Sequence, residues 1–225
     1  MTAQHRHWHG EQEQLVEIAV NGATLEGNLA LPAQATGIVV FAHGSGSSRH
    51  SPRNRFVAQA LQDGGLATLL IDLLTLNEET IDNYTAHLRF DISLLAERLS
   101  HARAWLAQYP ATRHLKIGYF GASTGAAAAL LAAADHPEGV GAIVSRGGRP
   151  DLAGPALAHV QAPTLLIVGG ADLPVLELNQ QAFAELQVEK RLEIIPKATH
   201  LFEEPGALAQ VAQLAQAWFQ RHLQS

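Results

Sequence analysis

Apolar and polar residues alternate along 14–20 (QLVEIAV) and 24–31 (TLEGNLAL), the period of strands with one buried face. Asn21-Gly22 between them is the strongest short signal for a two-residue hairpin turn. Further along, the pattern changes. Residues 37–42 (GIVVFA), 66–71 (LATLLI), 115–120 (LKIGYF), 140–144 (VGAIV) and 164–168 (TLLIV) are near-continuous apolar runs, the mark of strands covered on both faces in a parallel sheet. A last run, 191–195 (RLEII), is more polar and belongs near a sheet edge.

Helical spacing fills the intervals. Residues 52–63 open on Pro52, a good first-turn residue. Within 87–108 the apolar positions Leu88, Ile92, Leu95, Leu99, Ala102 and Leu106 form one buried stripe. Residues 124–134 have no polar face and predict a buried helix, while 174–186 and 205–222 complete the set, the last entered at Pro205 with Leu208, Val211, Leu214 and Trp218 on one side. Residues 73–87 read as the longest irregular stretch, either a partial lid or an ordinary surface connection. An antiparallel hairpin followed by β-α alternation predicts an α/β fold with a mostly parallel, doubly wound eight-stranded sheet. No composition break or repeat divides the chain, so 1–225 is expected to form a single domain, with 1–12 a mobile N-terminal tail.

Composition narrows the function classes. The chain has 225 residues, 47% hydrophobic and 16% charged, as suits a folded globule. Its net charge of −6 argues against a nucleic-acid partner. No cysteine is present, which removes disulfide scaffolds, Cys-ligated zinc, iron–sulfur clusters and a thiol nucleophile. No stretch is apolar enough for a membrane helix, and the first ten residues lack the apolar middle of a secretory signal, so a cytoplasmic location is expected. His5, His7 and His9 would share one face of an extended strand, but no neighbouring carboxylate or cysteine supports a metal there. No metal or cofactor is expected.

In open α/β sheets, sites form beyond the carboxyl ends of the strands. Reading those positions in turn gives His43-Gly44-Ser45-Gly46, Gly121-Ala122-Ser123-Thr124-Gly125, Gly169-Gly170-Ala171-Asp172 and Pro196-Lys197-Ala198-Thr199-His200. The second is a G-x-S-x-G sequence at a strand-to-helix junction, where a sharp turn exposes the serine hydroxyl. A hydroxyl becomes nucleophilic only when a base takes its proton and a third group orients that base. The chain order Ser123, Asp172, His200 supplies these roles in the sequence this scaffold requires. Asp151, after the preceding strand, is the rival acid, although it is expected to cap a short helix. The backbone N–H groups of Thr124 and Ser45 are the candidate oxyanion donors. The loop at 43–49 is neither a dinucleotide fingerprint, since the third glycine is missing, nor a P-loop, since no Gly-Lys-Ser/Thr follows.

On these motifs the chain resembles an α/β-hydrolase over nearly its whole length and is most similar to the dienelactone-hydrolase-like group. The run from His43 to Asn54 (HGSGSSRHSPRN) resembles the oxyanion loop of bacterial members, some of which occur beside phosphoribosyltransferase domains. The resemblance implies Ser123 as nucleophile, Asp172 as acid, His200 as base and the Ser45 and Thr124 amides as oxyanion hole. True dienelactone hydrolases use a cysteine nucleophile, so a serine here implies ordinary ester chemistry, with lactones or thioesters as variants. A non-catalytic ligand-binding or accessory module on the same scaffold is the alternative.

Only residues 145–163 separate the sixth and seventh strands, which predicts a minimal cap and an open cleft for a small-molecule ester. Arginines gather on this rim at 49, 53, 55, 146 and 149. Arg49 and Arg146 are candidates for recognising an anionic substrate group, against the plainer reading of solvated or loop-paired charge. The oligomeric state is left open by the sequence.

Overall fold

The computed structural model describes residues 13–224. The expected tail, with His5, His7 and His9, lies outside them. Strands β1 (Gln14–Val20) and β2 (Ala23–Ala30) pair antiparallel from Gln14↔Leu29 to Val20↔Ala23. Both turn residues between them, Asn21 (φ 36°) and Gly22 (φ 83°), are left-handed, as a tight hairpin twisted to match its strands requires. The remaining strands are β3 (Ile38–Ala42), β4 (Ala67–Ile71), β5 (Ile117–Ala122), β6 (Ala142–Arg146), β7 (Thr164–Gly169) and β8 (Lys190–Ile195). They form one sheet in the order β1-β2-β4-β3-β5-β6-β7-β8. β2 meets β4 antiparallel and every later pairing is parallel.

Each face of the sheet carries its own apolar layer. Side chains alternate along a strand, so Val40 and Tyr119 point to one layer while Phe41 and Phe120 point to the other. The first layer packs under α3 (Ile92–Gln108) and α4 (Thr124–Asp135), the second under α1 (Pro52–Asp63) and α6 (Ala207–Leu223). β3 to β7 are buried throughout, whereas β8 is half-buried or exposed up to its last residue and stands at the edge, as its polar sequence predicts. Among the described residues no helix is long and apolar enough to cross a membrane.

Three segments depart from the sequence reading. Residues 73–87 are not irregular: they hold α2 (Leu76–Thr85), begun by a capping box in which Thr75 Oγ1 accepts from the Glu78 amide and Glu78 accepts from the Thr75 amide. α2 buries only Asp82, so it carries no apolar stripe for periodicity to detect. The stripe predicted from Leu88 is broken by a 3-10 turn at Leu88–Phe90, after which Asp91 caps α3. The last helix starts at Ala207 rather than Pro205, because Gly206 turns left-handed (φ 80°) at its N-cap. Between β6 and β7 the chain makes only a 3-10 segment, Pro150–His159, kinked at Gly154, so no cap domain is inserted there.

Candidate active site

Ser123 is the N-cap of α4 and has φ 52°, ψ −123°, a backbone conformation that a side-chain-bearing residue rarely adopts. Its surroundings hold it there. The Ser123 amide donates to the Arg146 carbonyl (3.3 Å), and the Ser123 carbonyl accepts from the amides of Arg149 and Ala126, both at 3.1 Å. Glycine at the flanking positions is obligatory. A Cβ on Gly121 would strike the α4 backbone at Gly125 and Ala126, and one on Gly125 would strike the carbonyls of Ala42 and His43. The loop after β3 also abuts the serine, since a Cβ on Gly44 would lie 3.0 Å from Ser123 Cβ.

The imidazole and carboxylate meet from separate loops. His200 Nδ1 lies 2.7 Å from Asp172 Oδ2. A carboxylate can only accept, so Nδ1 carries a proton, and in the neutral ring Nε2 is the acceptor nitrogen. Asp172 occupies the N-cap of α5 (Leu173–Glu185) yet makes no side-chain capping bond there, which leaves its carboxylate for the ring. The rival Asp151 is engaged elsewhere: its two oxygens accept from Arg149 Nε (2.9 Å) and Nη2 (2.8 Å). Asp151 is also not the expected helix cap, since that position falls to Arg149 and Asp151 sits in the first turn.

The His200 loop is stiffened by contacts the sequence reading did not anticipate. Lys197 (φ 63°) and Phe202 (φ 57°) are both left-handed, Phe202 is anchored in the second apolar layer, and Glu204 accepts from the Thr199 amide and hydroxyl. The loop rests on Gly147, where a Cβ would lie 3.2 Å from the His200 carbonyl and 3.6 Å from its ring carbon Cε1. Gly147 follows Arg146, whose carbonyl holds the Ser123 amide, so serine and imidazole flank one short segment. Asn179, wholly buried, donates to the Gly148 carbonyl (2.9 Å) and fixes that segment from α5. Among the described residues no hydrogen bond joins the Ser123 hydroxyl to the His200 ring; such contacts often tighten only when substrate is present.

The two candidate oxyanion amides are adjacent but differ in state. Thr124 begins α4, at the positive end of the helix, with no capping side chain over it. The Ser45 amide donates to Thr124 Oγ1 at 3.0 Å. The loop bearing Ser45 is set by His43, whose Nε2 accepts from the Leu73 amide (3.1 Å) and whose Nδ1 therefore donates to the Gly44 carbonyl (2.9 Å). Burial holds the His43 pKa below its ordinary value, so the ring is a neutral structural link. Beyond it lies a cleft bounded by Ser45, Ser48, Thr124, Leu74, Glu79 and Asn83, with α2 as one wall.

The two candidate arginines part company. Arg49 is tied to Asp72, to Glu26 (2.5 Å) and to Asn28 (2.9 Å), so its guanidinium belongs to the scaffold between β2 and β4. Arg146 is buried without a side-chain partner for Nε or Nη1.

A strained serine after β5 and an Asp–His pair from the loops after β7 and β8, on an eight-stranded, mostly parallel sheet, define an α/β-hydrolase fold. Residues 25–224 match the dienelactone hydrolase family, and the chain belongs to it. A crystal structure of dienelactone hydrolase from Anabaena variabilis is 65% identical, with TM-score 0.94 over 96% of this chain and 100% of that one. Sequences from two Mycobacterium tuberculosis strains, provisionally named phosphoribosyl transferases, are 57% identical over 212 residues. That match takes in 94% of this chain but 47% of theirs, so the chain spans about half the length of these curated relatives. Est1E from Butyrivibrio proteoclasticus, solved with ferulic acid, shares the fold at 16% identity and TM-score 0.77, over 92% of this chain and 98% of its own. Family membership places the chain among hydrolases.

Proposed function

We propose that this hydrolase cleaves carboxylic esters, with lactones and thioesters as chemical variants, through an acyl-enzyme on Ser123. The strained backbone of Ser123 carries the reading, because such a conformation persists only where the surroundings over-determine it. Ser123 Oγ attacks the carbonyl carbon while His200 Nε2 takes its proton. The tetrahedral oxyanion is held by the Thr124 amide and by the Ser45 amide, which exchanges its contact with Thr124 Oγ1 for the substrate oxygen. Collapse expels the alcohol, which collects the proton from His200. Water then attacks the acyl carbon with the same ring as base, and Ser123 is released. Asp172 holds the ring in the tautomer this needs and stabilises its protonated form.

The test is labelling with a fluorophosphonate probe alongside hydrolysis of a p-nitrophenyl ester. Wild type is expected to be labelled on Ser123 and to hydrolyse the ester, and Ser123→Ala to do neither. A wild-type chain that resists the probe and leaves the ester intact would mark a non-catalytic binding module instead.

A further inference from the structure

Most arginines around the site are matched by acids. Arg49 is paired with Asp72 and Glu26, Arg55 with Glu13 (2.8 Å), Arg89 with Asp82 (2.5 Å) and Arg149 with Asp151. Arg146 is not. It is 7% exposed, and its Nε and Nη1 are buried with no acceptor among the described residues. It pairs in register with Ala122, and Ala142 and Val144 before it point into the layer beneath α1 and α6, so its side chain leaves the sheet on that face. Arg53, on α1 against the same face, is the charged group whose repulsion bears on it. Arg53 sits in the first turn of α1; its Nε is likewise buried and unpartnered, and its Nη1 reaches only Glu203, at 3.5 Å.

Two neighbouring cations, with three buried nitrogen donors unsatisfied among the described residues, are an unstable arrangement, because buried charges are ordinarily paired. Burial and then Arg53 draw the Arg146 pKa down to about 10, which leaves it protonated at neutral pH. Ser51 already caps the Asn54 amide of the twelve-residue helix α1, so the helix adds its dipole at Arg53 in the first turn rather than that amide. A small oxyanion would offer acceptors to an edge of each guanidinium and a negative charge to both. We propose that Arg146 and Arg53, at the N-terminus of α1, form a binding site for one oxyanion of the phosphate or carboxylate class. Gly147, next to Arg146, supports the His200 loop, so the bound anion would lie beside the catalytic base. Its source is a free ion or an anionic group on the substrate; in either case its influence on catalysis rests on the hydrolase reading above, whereas binding itself does not.

The test combines titration calorimetry with inorganic phosphate and kinetics on a matched pair of esters, p-nitrophenyl hydrogen succinate and neutral p-nitrophenyl butyrate. Arg53→Gln is the principal variant, because its partly exposed side chain can be changed without opening the core. Arg146→Lys keeps the buried charge but loses the fork, and Arg55→Gln is the control. Phosphate is expected to bind wild type and Arg55→Gln, and to bind Arg53→Gln and Arg146→Lys about tenfold or more weakly. If the substrate supplies the anion, the succinate-to-butyrate ratio of kcat/KM falls in the same two variants and phosphate competes with the succinate ester. If a free ion fills the site, phosphate instead alters kcat for the butyrate ester in wild type. Phosphate affinity and ester ratio both unchanged in Arg53→Gln overturn the proposal. Phosphate binding that depends on Arg53 in a protein inert towards both esters would retain the site and reject the hydrolase reading.

Discussion

The two halves of the candidate site are built on different principles. On the side of β2, β4 and α2, charged side chains bind one another: Arg49 with Asp72 and Glu26, Arg89 with Asp82, Arg98 with Glu78. On the side of β5 to β8, glycines let backbones approach, and main-chain hydrogen bonds hold Ser123, Gly147 and Gly148 in place. The first side uses its polar groups up in supporting itself. The second satisfies its backbone internally, and among the described residues the Ser123 hydroxyl, His200 Nε2 and the Arg146 guanidinium have no hydrogen-bond partner. An arginine on the rim is therefore informative through its partners rather than its position.

The sharpest way to break this contrast is on the glycine-rich side. Ser123→Ala is expected to lower kcat for a p-nitrophenyl ester by about 10³–10⁶ while the melting temperature holds. Asp172→Asn should cost about 10²–10⁴ in kcat, because an amide can donate to Nδ1 and so favour the wrong tautomer; a pH–rate profile with calorimetry would separate this from unfolding. Gly125→Val tests the close approach itself. Its side chain would meet the carbonyls of Ala42 and His43, and denaturant titration should show a loss of about 3 kcal/mol or more.

The charged side should respond more mildly. Thr75→Ala removes half of the capping box and should destabilise α2 by about 1 kcal/mol, visible as faster amide exchange over 76–80 with the core unchanged. The smallest effect concerns His43. Its folded pKa lies below the ordinary value of 6.5, so between those two values the unfolded chain binds more protons than the folded one. Stability is then intact above that value and falls as the pH drops beneath it. His43→Gln should flatten, though not abolish, this acid-side decline in urea titrations, since His222 is shifted in the same direction by burial.

Much of this was legible in one dimension. The eight strands, the hairpin at Asn21-Gly22, the elbow at Ser123 and the order Ser123, Asp172, His200 all follow from local pattern, because burial on two faces, left-handed turns and strand-to-helix junctions each impose a residue type on the chain. α2 escaped because it buries almost nothing; its capping box, Thr75 and Glu78, was the available signal. Asn179 and Phe202 escaped because nothing in their own neighbourhood marks them: their partners, Gly148 and the second apolar layer, lie far off in sequence.

The amino-acid order alone thus determined the architecture and the resemblance to the family, and marked Ser123, Asp172 and His200 as the candidates for acyl transfer. Only the tertiary structure decided which groups are engaged. It gave His200 to Asp172 and Asp151 to Arg149, bound Arg49 into the scaffold and left Arg146 without a counter-charge among the described residues. Periodicity and turn chemistry are written within a few neighbouring residues, whereas the pairing of charges depends on segments that meet only when the sheet is assembled.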